Sequence, residues 1–175
     1  MEARNRNTRM LVRKLTENDL EAIWALRLQS VKDHPEVFSS TYEETLAQGK
    51  EPILQRLRQG DSMFYVGAFE EGLVGMVRFG REEGLKLRHQ GSVASVYVLP
   101  EKRGHGIGRA LMQELITQAK QLDGLEQLHL SVLTTHLAAR RLYQSFGFEV
   151  YGTAPRVIKF GEQYLDEDLM MFYLR

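Results

Sequence analysis

Val93-Ala94-Ser95-Val96-Tyr97-Val98-Leu99-Pro100-Glu101-Lys102-Arg103-Gly104-His105-Gly106-Ile107-Gly108-Arg109-Ala110-Leu111 is the stretch that decides the fold of this chain. Val93, Val96, Tyr97, Val98 and Leu99 favour a strand, and Pro100 closes it because proline has no N–H to give a ladder. Gly104, Gly106 and Gly108 then permit a sharp turn and leave main-chain amides uncovered. Leu111, Leu115, Ile116, Ala119 and Leu122 recur at helical spacing, so a helix begins near Gly108. A helix start presents unpaired N–H groups and a partial positive charge, which together suit a phosphate. The turn is therefore expected to hold a pyrophosphate. A glycine-rich bend that only changes the chain's direction is the plain alternative.

Two common nucleotide patterns do not fit. Counted from Gly104, the third glycine of G-x-G-x-x-G falls on Arg109, and no Gly-Lys-Ser/Thr follows. The pattern Arg103-x-x-Gly106-x-Gly108, after a strand that ends in proline, instead resembles the acetyl-CoA loop of the GNAT family of N-acetyltransferases. A second stretch, Ala139-x-x-Leu142-Tyr143-x-x-x-Gly147-Phe148, resembles the second motif of that family. The motif usually has an asparagine three residues before the alanine, where this chain has His136. The resemblance runs from Met10 onward, strong in the cofactor half and weak in the acceptor half.

Composition bounds the rest. The chain of 175 residues suits one domain with a sizeable core, expected over residues 10–175. Residues 1–9 are polar and basic and read as a flexible leader. They lack the apolar run of a signal peptide, and nothing later approaches a membrane span. With 23 basic and 23 acidic side chains, no overall field points to nucleic acid. The absence of cysteine removes disulfides, thiolate metal sites and a cysteine nucleophile, and fits the cytoplasm. No metal is called for.

Taken in order, Met10 to Leu15 reads as a first strand, and Thr16-Glu17-Asn18-Asp19 as a capping box flanked by Leu15 and Leu20. Leu20, Ile23, Trp24, Leu28 and Val31 mark one face of a first helix, which Asp33-His34-Pro35 ends. Arg27 on that helix reads as a solvated surface arginine rather than a substrate contact. Thr41-x-x-Glu44 is a second capping box, and Pro52 suits the first turn of another short helix. Met63–Phe69 and Leu73–Phe79 form a hairpin around Glu70-Glu71-Gly72 and continue into the glycine-loop strand as a meander. After the following helix, Gln127–Leu133 alternates polar and apolar residues, giving a β-α-β crossover and hence a parallel pair. A threonine is expected to cap the helix that carries Tyr143, and Gly147 to end it. Phe148–Thr153, Arg156–Phe160 and Tyr164–Leu174 read as closing strands, with a turn at Gly161.

The resemblance implies an α/β (α+β) fold. Its mixed, mostly antiparallel sheet has about seven strands, with parallel fourth and fifth strands that splay apart after a bulge, and helices on both faces. It implies acetyl-CoA as cofactor and an amine as acceptor, and dimers are common in the family. Main-chain groups near Val96, Tyr97 and Val98 would meet the pantetheine. The amides of Arg103, Gly104, His105, Gly106, Ile107, Gly108 and Arg109 would bind the pyrophosphate, with the Arg103 guanidinium adding charge. His136 would contact the pantetheine arm. Phe38, Tyr42, Glu43 and Glu44 would line the acceptor wall, although ordinary packing or solvent exposure accounts for each alone.

Acyl transfer to an amine needs a neutral amine, a held oxyanion and a protonated leaving thiolate. The cofactor supplies the activated acyl group, so no protein nucleophile is required. Tyr143 is the candidate general acid, since a phenol is protonated at neutral pH. Many family members take their general base from a glutamate on the fourth strand, but Gln90 to Tyr97 holds no carboxylate. Glu36, Glu43, Glu44, Asp166 and His89 remain as substitutes. The acids near Glu43 and Asp166 would suit a cationic acceptor. The competing readings are a non-catalytic acyl-CoA-binding or sensing module of the same fold, and a different CoA or nucleotide enzyme.

Overall fold

The computed structural model describes residues 9–174, so the expected leader lies outside the described residues except for Arg9. Seven strands form one sheet in the order β1-β2-β3-β4-β5-β7-β6. They are β1 (Leu11–Lys14), β2 (Met63–Phe69), β3 (Leu73–Arg81), β4 (Gln90–Val98), β5 (Gln127–Leu133), β6 (Glu149–Phe160) and β7 (Gln163–Tyr173). The helices are α1 (Leu20–Asp33), α2 (Tyr42–Gln48), α3 (Glu51–Leu57), α4 (Ile107–Lys120) and α5 (Leu137–Phe146).

Both capping boxes form. The Asp19 carboxylate accepts the Thr16 N–H at 2.8 Å, and the Glu44 carboxylate accepts the Thr41 N–H at 2.8 Å. The expected threonine cap on α5 does not. Its N-cap is His136, with no side-chain bond, while Gly147 ends the helix at φ 107°.

The alternation of β2 places Phe64, Val66 and Ala68 in one apolar cluster and Tyr65 in another. The first cluster is closed by Leu111, Met112 and Leu115 of α4, with Tyr143 of α5. The second is closed by Ile23 and Leu26 of α1 and Ile53 of α3. The sheet is therefore sandwiched by helices. Full burial of aliphatic and aromatic side chains on both sides is worth roughly 1.5–3 kcal/mol each.

Phe148–Thr153 and Arg156–Phe160 are not separate strands. From Glu149 on, both belong to β6, whose register with β7 slips between Ala154 and Ile158. Pro155 sits in that slip on the outermost strand, where its missing N–H leaves no ladder bond unmade. Arg156 takes φ 53°, and its N–H donates to the Asp166 carboxylate at 2.8 Å. Asp168 ties α5 to β7. Its carboxylate lies 3.0 Å from the Arg140 guanidinium and accepts from Thr153 Oγ1 at 2.9 Å.

Candidate active site

β4 and β5 pair in parallel only through Gln90↔Gln127, Gly91↔Leu128 and Ser92↔His129, and then diverge. β4 keeps its outer ladder to β3, and β5 keeps its outer ladder to β7. The inner edges beyond Ser92 and His129 therefore face each other unpaired across a cavity of about 980 Å³. The divergence coincides with a register shift opposite Met76–Arg78, where Ser95 adopts φ 55°. A positive φ at a non-glycine residue marks a built bulge that re-aims the strand.

The glycine turn lies at the mouth of this cavity. Gly104 and Gly106 take φ 78° and 81°, and a Cβ on either would meet nothing within 4 Å, so the loop is open on that side. The first intrahelical bond of α4 runs from the Ala110 N–H to the Gly106 carbonyl. The N–H groups of Ile107, Gly108 and Arg109 accordingly have no intrahelical acceptor. This cradle fits a diphosphate.

Of the residues the sequence nominated for the cofactor, Val96, Tyr97, Val98, Arg103, Gly104, Gly106, Ile107, Gly108, Arg109, His136 and Tyr143 all line the one cavity. His105 does not; its Nδ1 lies 3.2 Å from the Lys102 carbonyl. The Arg103 guanidinium donates through Nε to the Val98 carbonyl at 2.9 Å and lies 5.6 Å from the Tyr97 ring centroid. Tyr97 turns its hydroxyl to Asp33 on α1 at 2.5 Å. Burial and that bond push its phenol above the ordinary value.

Tyr143 is 6% exposed. Burial pushes its phenol up to about 12, which keeps it a proton donor at neutral pH. His136, at the start of α5, is held below the usual histidine range by burial and by His34, whose ring centroid is 6.4 Å away. It is neutral at neutral pH and can accept a proton.

On the acceptor side only Phe38 of the four expected residues lines the cavity; Tyr42, Glu43 and Glu44 lie on α2 and do not. Glu44 is engaged as the capping carboxylate. Among the candidate bases, Glu36, His89 and Asp166 are also absent from the lining. Arg27 is not a solvated arginine. It lines the cavity beneath the Phe38 ring, 4.8 Å from its centroid, and burial lowers its pKa. Arg78 joins it from β3 and was not singled out in the sequence. A lone arginine within the apolar run Leu73–Phe79 is the signal that could have revealed it.

The family model described as the acetyltransferase (GNAT) family matches residues 23–148. A mycothiol acetyltransferase of Thermobispora bispora is 33% identical over 133 residues, which is 74% of this chain and 43% of that relative. The chain thus spans less than half of that relative's length. The structure of a GNAT-family acetyltransferase from Streptococcus pneumoniae matches with a TM-score of 0.83 at 25% identity, over 94% of this chain and 99% of that one. A ribosomal-protein-alanine N-acetyltransferase from Brucella melitensis matches with a TM-score of 0.79 at 29% identity, over 93% and 99%. The chain belongs to the GNAT family of acetyltransferases.

Proposed function

We propose that this chain transfers the acetyl group of acetyl-CoA to a primary amine by direct attack in a ternary complex, in the cytoplasm. The observation that carries this reading is the cleft itself: two unpaired strand edges, a glycine cradle at its mouth and a buried phenol on its wall. Acetyl-CoA would supply the activated thioester. The inward-facing main-chain groups of Val96 and Val98 would align the pantetheine as an added strand. The amides from Gly104 to Arg109 would hold the diphosphate, with Arg109 adding charge. For the Val98 carbonyl to take part, the Arg103 side chain must release it.

Tyr143 would give its proton to the departing thiolate. A carboxylate base is absent from the fourth strand, so the acceptor's proton leaves by another path. The Glu167 carboxylate, His34, neutral His136 and bulk water at the open mouth are the acceptors the cavity offers. The relatives named above are called acetyltransferases, which disfavours a purely sensing role.

The test is thiol release from acetyl-CoA in the presence of a panel of primary amines, with the acetylated product identified by mass. Amine-dependent thiol release with a matching N-acetyl product is expected. Tight CoA binding with no transfer to any amine would refute the catalytic reading.

A further inference from the structure

A second cavity, of about 260 Å³, lies beside the cleft. Arg27 of α1, Arg56 of α3 and Arg78 of β3 all line it, and no Asp or Glu does. Among the described residues no carboxylate pairs with any of the three. Arg27 Nη1 and Arg78 Nε are buried without a hydrogen-bond partner. The contacts that do exist are weak: Arg27 lies against the Phe38 ring, while Arg56 reaches the Tyr65 hydroxyl and Arg78 the Met63 sulfur, each at 3.4 Å. Burial is the main cause that lowers the pKa of Arg27 and of Arg78; Arg56 lowers both further, Arg78 also lowers Arg27, and Tyr65 opposes.

Arginine cannot escape such a site by deprotonating. Gathering like charges in a partly buried pocket with no counter-ion costs stability that a ligand completing the set would restore. Guanidinium forks match planar oxyanions. Arg27, Arg78, Ser39 and Ser95 line both cavities, so the arginine pocket opens into the cleft at the bulge. An acceptor can therefore place its anionic end among the arginines and its amine in the cleft.

We propose that this pocket takes the carboxylate of the acceptor, which makes the acceptor a small amino acid rather than a polyamine or a lysine side chain. The inference rests on the acetyl-transfer reading and names its substrate class. Glu43 and Asp166, which would have suited a cationic amine, do not line either cavity.

The experiment compares α-, β- and γ-amino acids with their carboxamides, and includes spermidine. The carboxamides of α-amino acids have the more readily deprotonated amine, so a bias toward the acids is not an effect of amine basicity. Where an acid is turned over, its kcat/KM should exceed that of its amide by about 100-fold. Arg27→Gln and Arg78→Gln should raise KM for the acid at least tenfold, leave KM for acetyl-CoA unchanged, and melt above the wild-type temperature. That rise in melting temperature would not accompany loss of a purely structural arginine, and Arg78→Lys should restore part of the lost affinity. Amides or spermidine used as well as the acids, or no member of the acid series used at all, overturns the arginine assignment. Acetyl transfer to an uncharged or cationic amine in that case leaves the proposed reaction standing, whereas failure to bind CoA removes both.

Discussion

The Tyr143 phenol and the left-handed glycines bear most directly on chemistry at the scale of single residues. With its pKa pushed up to about 12, Tyr143 stays protonated across the working range, so kcat should show no alkaline loss below about pH 10. Tyr143→Phe should lower kcat by roughly 10–100-fold, at the low end of general-acid effects, and change CoA affinity by less than about twofold. Stopped thiol-release assays and equilibrium CoA binding separate the two, and unchanged kcat would return Tyr143 to packing alone. Gly106 has room for a side chain, but its φ of 81° makes any L residue there strained. Gly106→Ala should cost about 1 kcal/mol in backbone strain and weaken CoA binding, read by denaturant unfolding and calorimetry. These residues were legible in the sequence because a turn between strand and helix restricts which residue types it accepts. The arginine pocket was not. Its members come from positions 27, 56 and 78 on three elements, and each alone reads as an ordinary surface charge.

At the scale of elements, β4 is the strand on which the site depends. Gly91 holds the short parallel register with Leu128, and a Cβ there would collide with the Phe79 ring. Phe79 is fully buried and stacks on Phe64 with centroids 4.8 Å apart, so it cannot withdraw. Gly91→Ala should therefore destabilise by about 1–3 kcal/mol, measured as a shift in urea midpoint. A shift below about 0.5 kcal/mol would mean that the ring moves freely. The meander and the crossover helix were predictable, because their periodicities are uninterrupted and their turns carry glycine. β6 was misread as two strands because proline breaks a central ladder but not an outer edge, and edge position is a tertiary fact.

At the scale of the whole molecule, pH sets stability through groups on several elements. Burial holds His129 and His136 below the ordinary histidine value of 6.5. Below about pH 6.5 the unfolded chain binds more protons than the folded one, so stability falls with pH until the folded values are passed. The bonds from Arg13 to Asp19 and from Tyr97 to Asp33 hold those carboxyls below 3.8, which adds a second loss below about pH 4. Urea midpoints at pH 7.5 and 5.5 should differ in the wild type and converge in the double variant His129→Gln/His136→Gln. An undiminished difference in that variant would assign the acid sensitivity elsewhere.

Among the described residues, the sheet ladder between the half β1 to β4 and the half β5 to β7 is only three residue pairs long. Such a seam can breathe, and a molecule lying along it would act as mortar between two walls. Metabolite supply would then govern how long the protein survives as well as how fast it works. Amide exchange at Val96 and Val98 should slow when CoA is added, and the melting point should climb with the logarithm of its concentration.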